Sequence, residues 1–297
     1  MALSACGNDF GDVKLTMASG NADGVYNKLS DALADAWSGQ LGIARPQVVP
    51  TKGSVDNLER LRTGQAHVGF SQADAAEDAN AEDAGPRKLR ALARMHDDYL
   101  QLVVRDDLPV HKLADLKGLR VSVGPATSGV KLIAERLLKS ANISPDNDLR
   151  VQNLDLTGAP QAMLDGALDA FFWVGGVPTG PVTALAKTMK LRMLDLSDVL
   201  PELRRQYPVY GSATLPSSAY QLPGGPVVTL VVRNFLLVND TMSDDVAEAL
   251  VRGLFEAQPQ LVRASPVART IEVRSAIETS PITLHPGAER YYRDAKV

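Results

Sequence analysis

Short apolar runs alternate along the chain with loops rich in Gly, Ser and Pro, and most of these loops lead into segments with helical periodicity. The first helical segment carries an apolar residue at every fourth position: Val25, Leu29, Leu33 and Trp37. That spacing places the four side chains on one face of an α-helix. Ser54 is a suitable N-cap residue for the second helix. Further helices are predicted at residues 55–63 and 130–141, from residue 160, after residue 243 and near residue 285.

The strand pattern indicates an α/β protein. Apolar or alternating runs predict strands at residues 13–18, 47–51, 66–70, 91–95, 100–105, 119–123, 150–154, 167–174 and 227–237. The strand–loop–helix order begins at residue 13 and again at residue 119, which is typical of mostly parallel sheets with right-handed crossovers. Two such units predict two α/β domains with a ligand cleft between them. A chain of 297 residues has room for both.

The predicted division of the chain follows from the same order. Residues 1–12 are small and polar and are interpreted as a flexible tether. Residues 13–104 and 230–297 are assigned to the first domain, and residues 105–229 to a second domain inserted into it. The chain is expected to cross between the two domains in the extended segments near residues 100–105 and 227–237.

Residues 167–178 combine an apolar strand with an aromatic residue and two glycines at its carboxyl end. The preceding helix is predicted to end at Gly166, which can adopt the left-handed conformation of a C-cap. Trp173 then lies beside Gly175 and Gly176, whose backbone can turn sharply or approach a ligand closely. Open α/β sheets bind small molecules at the carboxyl ends of their strands. The segment predicts a ligand site, and a core tryptophan beside a tight turn is the alternative.

Three loops, at residues 19–23, 52–54 and 125–129, follow strands and lead into helices. A helix N-terminus offers unpaired N–H groups and a partial positive charge, which suit a carboxylate or another small anion. Simple helix capping is the alternative. Gln72 after the third strand and Tyr26 in the first helix can also reach the cleft. The candidate ligand-binding residues are Ser19, Gly20, Asp23, Tyr26, Ser54, Gln72, Thr127, Ser128, Gly129, Trp173, Gly175, Gly176 and Tyr220.

Motifs for catalysis, metals and nucleotides are absent from the sequence. It has neither the Gly-Lys-Ser/Thr ending of a phosphate-binding loop nor a Gly-x-Ser-x-Gly nucleophile motif, and its four histidines lack metal-binding spacing. A net charge of −4 without a basic stripe argues against nucleic acid. We therefore predict a binding protein rather than an enzyme, with no metal and no cofactor. His96 is expected to follow a strand end, and Asp74, Glu77 and Asp78 to form a solvated helix face.

The single cysteine, Cys6, is preceded by Leu-Ser-Ala. This pattern is typical of the lipobox of bacterial lipoproteins, whose cysteine is acylated after a signal peptide has been cleaved. The interpretation expects a start further upstream, and a chance match is the alternative. No apolar run approaches the roughly 20 residues that cross a bilayer. We expect an extracytoplasmic protein tethered to the membrane by lipid on Cys6.

Five segments in this order carry a family resemblance: residues 53–58, 70–74, 115–125, 172–178 and 284–292. Together they resemble the TAXI family of solute receptors of tripartite (TRAP) transporters, over roughly residues 13–295. The resemblance implies a two-domain type II periplasmic-binding-protein fold and a membrane permease as partner. It also implies that a monomer delivers glutamate, glutamine or 2-oxoglutarate-like solutes to that permease. A sensor of the same fold is the alternative, and an enzyme using the same cleft a further one.

The first loop departs from the family pattern. Relatives usually carry two tyrosines followed by Pro-Leu-Gly, and only Tyr26 is present here. Asp23 adds a negative charge near the start of the first helix, where it either caps the helix or faces the cleft. In the cleft it would favour a ligand ammonium group over a second carboxylate. The ligand is therefore not inherited from the family.

Overall fold

The computed structural model describes residues 10–22, 24–81 and 87–296. The strands are β1 Thr16–Gly20, β2 Gln47–Pro50, β3 Val68–Gln72, β4 Leu89–Arg105, β5 Arg120–Ser122, β6 Arg150–Gln152, β7 Ala170–Gly175, β8 Leu191–Met193, β9 Gly211–Leu215 and β10 Val227–Asn239. The helices are α1 Val25–Leu41, α2 Ser54–Thr63, α3 Ala73–Ala81, α4 Gly129–Ser140, α5 Pro145–Asp148, α6 Gly158–Leu164, α7 Gly180–Thr188, α8 Leu200–Gln206, α9 Asp244–Glu256, α10 Gln258–Ala264, α11 Val273–Ala276 and α12 Pro286–Asp294. Three short 3₁₀ turns lie at Leu113–Leu116, Ser217–Ala219 and Pro266–Thr270.

The strands form one mixed sheet in the order β2-β1-β3-β10-β4-β7-β5-β6, with β8 paired to β4 and β9 to β10. The outer groups, β2-β1-β3 and β7-β5-β6, are parallel as predicted. The two long central strands run antiparallel to their neighbours. The α/β class is confirmed, and the expectation of separate, mostly parallel sheets is corrected to a single mixed sheet.

The structure has one continuous strand, β4, where two strands separated by a loop were predicted. Strands were expected at residues 91–95 and 100–105, yet β4 runs without interruption over 17 residues. The polar residues between the two predicted strands look like a loop, but His96 and Asp98 are buried within the strand. Residues 99–104 of β4 pair with β7, and its earlier residues pair with β10, with one further bridge from Ala91 to Leu284. One strand therefore belongs to both parts of the sheet.

The helix faces follow the apolar periodicity. Leu29, Leu33 and Trp37 of α1 are fully buried, as the spacing predicts. The indole N–H of Trp37 donates to the carbonyl of Leu250 in α9 at 3.1 Å, so its only polar atom is satisfied within the core. α6 ends at Leu164 with Asp165 as its C-cap, and Gly166 follows at a φ of 68°, the left-handed conformation predicted for it.

The first half of the fold comprises β1–β3 with α1–α3, and the second half comprises β5–β7 with α4–α7. The division into two domains with boundaries at residues 104 and 229 stays a prediction. Among the described helices, none is long and apolar enough to cross a membrane.

Candidate functional site

The carboxyl ends of three strands open onto one cavity. β1 ends at Gly20, β3 at Gln72 and β7 at Gly175, and all three residues line it. The cavity therefore lies between the two halves of the fold. The space that the centre of a water molecule can occupy is about 60 Å³. That volume suits a small solute.

Three helices begin at this cavity. α1 starts after Gly24, α2 after Gly53 and α4 after Ser128, and these residues belong to the lining. The first N–H groups of a helix have no partner within the helix and carry a partial positive charge. The exposed Lys52 adds a full positive charge to the same wall. This wall is suited to an anionic group such as a carboxylate.

The serines at two of these helix starts are hydrogen-bonded to the backbone. Ser54 is the first residue of α2, so the predicted cap is corrected by one position to Gly53. The Ser54 hydroxyl accepts instead from the backbone N–H of Gln72 at 3.1 Å and ties α2 to β3. Ser128 caps α4 by accepting from the N–H of Lys131 at 3.2 Å. Among the described residues, neither hydroxyl is hydrogen-bonded to a histidine or a carboxylate.

The lining of the cavity also carries buried acceptors. Asp98 and Gln72 both line it and are 3 and 4 % exposed. Asp98 Oδ1 and Gln72 Oε1 have no hydrogen-bond partner among the described residues. His96 lies two residues before Asp98 on the same face of β4, with its Nε2 3.2 Å from Asp98 Oδ1. The site thus has acceptors that the described protein groups leave unused.

Two aromatic side chains complete the cavity. The ring of Tyr26 stacks on Phe70 at a centroid distance of 5.1 Å, and its hydroxyl donates to Asn234 Oδ1. Burial raises the pKa of Tyr26 well above its ordinary value, and the Asp98 carboxylate adds to that rise, so the phenol stays protonated. Trp173 is half-buried and donates from Nε1 to Thr179 Oγ1 at 3.1 Å. Both rings offer apolar contact next to polar groups.

The cavity brings together most of the predicted ligand-binding residues: Gly20, Tyr26, Ser54, Gln72, Ser128, Gly129, Trp173 and Gly175. Ligand binding by these residues stays a prediction. Asp23 and Cys6 lie outside the described residues.

The remaining predicted residues lie elsewhere. Ser19 is fully buried and donates to the carbonyl of Val49 at 3.0 Å. Thr127 lines a separate groove along α2, and Gly176 lines another groove on a different side of β7. Tyr220 is buried beneath α7, where its hydroxyl accepts from the N–H of Thr179 at 2.7 Å. None of these four residues belongs to the lining of the cavity.

Two expectations about polar residues are corrected. Asp74 is fully buried rather than part of a solvated face, and it accepts a hydrogen bond from Tyr210 at 2.7 Å. His96 lies inside β4 rather than after a strand end. Asp98 and Lys52 line the cavity and were not among the predicted residues. The acidic pair after residue 96 could have pointed to Asp98 only if β4 had been recognised as continuous.

Comparison with known proteins identifies the family and the fold of this chain. The model of the NMT1-like family matches residues 17–295. The chain belongs to the NMT1-like family. The fold of this NMT1-like protein is that of type II periplasmic binding proteins. Among the residues described, no group of three His, Cys, Asp or Glu side chains could hold a metal ion.

Three solved structures illustrate the likeness. A Bordetella bronchiseptica protein has a TM-score of 0.58 at 17% identity, covering 92% of this chain and 83% of that chain. A Listeria monocytogenes protein described as a candidate L-cystine ABC transporter has a TM-score of 0.55 at 13% identity, covering 85% and 94%. The ligand-binding component of an ABC-type import system from Staphylococcus aureus, solved with zinc, has a TM-score of 0.52 at 12% identity, covering 87% and 79%. At these identities the NMT1-like chain shares the fold with them.

Proposed function

We propose that this protein is an extracytoplasmic solute receptor. It binds a small carboxylate or amino acid in the cavity between its two halves and delivers the solute to a membrane permease. The observation that carries the proposal is the meeting of three helix N-termini, Lys52 and the buried acceptors Asp98 and Gln72 around one small cavity. Such a cavity can hold a small polar solute without any covalent step.

An enzyme in the same cavity is the weaker candidate. Nucleophilic catalysis by a serine needs a base within hydrogen-bond reach. The hydroxyls of Ser54 and Ser128 are instead bonded to backbone groups. A sensor of the same fold would use the cavity in the same way as a receptor. The partner protein distinguishes those two functions.

The permease is proposed from the resemblance to the TAXI family, which implies a TRAP transporter. The Listeria and Staphylococcus proteins named above are described as parts of ABC systems, so an ABC permease is the second candidate. A gene for an ATP-binding subunit beside this one would favour the ABC partner. A gene for a large multi-span permease without an ATPase would favour the TRAP partner.

Thermal unfolding with added solutes tests the binding function. The protein is first unfolded and refolded to remove any retained solute, and is then screened with amino acids, their amides, dicarboxylates and keto acids. A ligand at 100 times its dissociation constant adds about 2.7 kcal/mol of stability. For a chain of this length that corresponds to a rise in Tm of roughly 5 °C or more. No rise with any member of the panel would contradict the receptor function.

A further inference from the structure

Asp98 is a buried carboxylate at the cavity wall with an unused oxygen. Its side chain is 5% exposed, and no Lys or Arg forms an ion pair with it among the described residues. The nearby Tyr26 hydroxyl does not donate a hydrogen bond to Asp98, because it donates its proton to Asn234. A buried, unpaired acceptor costs free energy unless a donor arrives.

Gln72 also lines the cavity and carries a second unpartnered acceptor. It is 4% exposed and its Oε1 has no hydrogen-bond partner in the part of the chain that is described. Its side chain lies against the start of α4, where a Cβ added to Gly129 would lie 2.7 Å from Gln72 Cδ. Two acceptors from different strands, β3 and β4, therefore line one cavity.

The helix starts around the cavity have the opposite character to Asp98. They follow Gly24, Gly53 and Ser128, and Lys52 also belongs to the lining. A solute that satisfies both the helix starts and Asp98 carries an anionic group and a cationic N–H group. A dicarboxylate or a keto acid would leave Asp98 facing either a second negative charge or a carbonyl oxygen.

We propose that Asp98, assisted by Gln72, recognises a cationic N–H group of the solute, so that the cavity selects zwitterionic amino acids over the matching keto acids. This inference rests on the proposed receptor function and adds the ligand class to it. The carboxylate of the solute faces the helix N-termini, and its ammonium group donates to Asp98. Asp98 is a specificity-determining residue in this assignment.

His96 is the competing partner for Asp98. Its Nε2 lies 3.2 Å from Asp98 Oδ1, although neither of its ring nitrogens makes a hydrogen bond to a described residue. If a positively charged His96 neutralised Asp98, the pair would carry no net charge. Keto acids and amino acids would then bind with similar affinity, so the comparison of these ligands separates the two assignments.

The test is calorimetric titration of refolded protein with the proteinogenic L-amino acids and their matching 2-keto acids. The wild-type protein is expected to bind its best amino acid at least about tenfold more tightly than the matching keto acid, as a charge-assisted hydrogen bond implies. This comparison needs no variant. Asp98→Asn keeps the shape of the side chain and removes its charge. This variant should bind the amino acid at least about tenfold more weakly, and it should bind the keto acid as tightly as the wild type does or more tightly.

Asp97→Asn is the matched control. Asp97 is the neighbouring residue on β4, pairs with Arg94 at 3.0 Å and does not line the cavity. It should change neither affinity by more than about twofold, the range expected for a partly exposed ion pair.

The outcomes distinguish the assignment of Asp98 from the proposed receptor function. Equal binding of amino acid and keto acid by the wild type, or unchanged amino-acid binding by Asp98→Asn, overturns the assignment of Asp98 and leaves the receptor function intact. Tighter binding of the keto acid has the same consequence. If neither class binds the wild type, the proposed function falls and this inference falls with it.

Discussion

Asp74 connects the two halves of the fold, and its protonation should be visible in the stability of the protein. It lies in the first turn of α3 and is fully buried. Tyr210 donates to its Oδ2 at 2.7 Å, and Arg136 Nη1 lies 3.8 Å from the same oxygen. Tyr210 and Arg136 both belong to residues 105–229, so this contact joins α3 to the predicted second domain.

Burial raises the pKa of Asp74 from its ordinary value of 3.8 to about 6, against the opposing effects of the Tyr210 hydrogen bond and the Arg136 charge. Between these two values the folded state holds a proton that the unfolded state has lost. The stabilising contribution of this proton is therefore complete below pH 3.8 and is lost as the pH rises through about 6. A shift of about two pKa units corresponds to about 3 kcal/mol.

The perturbation is Asp74→Asn, which cannot titrate. We expect the free energy of unfolding of the wild type, minus that of Asp74→Asn, to increase by up to about 3 kcal/mol as the pH falls from about 7 to about 4. Urea unfolding at several pH values measures it, and contributions common to both proteins cancel in the difference. Glu77→Gln, an exposed residue of the same helix, is the control and should show no such trend. A difference that stays constant with pH, or decreases as the pH falls, would refute the reasoning.

Three further predictions concern the cavity and the N-terminus. Trp173 should report ligand binding by a change in fluorescence that Trp173→Phe removes, whereas Trp37→Phe should retain the change because Trp37 is buried in the core. Gly129→Ala should weaken ligand binding at least about tenfold, since its methyl carbon would lie 2.7 Å from a buried amide carbon and overpacking costs roughly 1–3 kcal/mol; Gly39→Ala, with nothing within 4 Å, should leave binding unchanged. Mass spectrometry of the native membrane fraction should find lipid on Cys6, and an unmodified thiol in that fraction would contradict the tether.

Local sequence patterns predicted much of the fold. The four-residue spacing in α1 predicted the buried face around Leu33 and Trp37. The loop–helix junctions predicted which backbone segments line the cavity, because strand ends and helix starts meet at the same edge of a parallel sheet. Ser128 at the start of α4 has the cap bond that its residue type favours.

The long strands and the buried acceptors at the cavity depended on tertiary context. Polar residues in the middle of β4 resemble a loop, yet Asp97 and Asp98 pair with Arg233 and Val232 of β10 and so continue the strand. His96 and Asp98 then share one buried face. Asp74 looked solvent-exposed because its burial depends on Tyr210, which lies 136 positions away along the chain. A contact between residues so far apart in the chain cannot be predicted from the local sequence pattern.

The central claim is that the cavity between the two halves binds one small zwitterionic solute. Native mass spectrometry of refolded protein, incubated with an equimolar mixture of amino acids and their matching keto acids, tests it most directly. The account predicts a single adduct with the mass of one amino acid, which disappears when the protein is unfolded and is reduced in Asp98→Asn. A spectrum with only the unliganded mass, or with a keto acid as the sole adduct, would contradict the account.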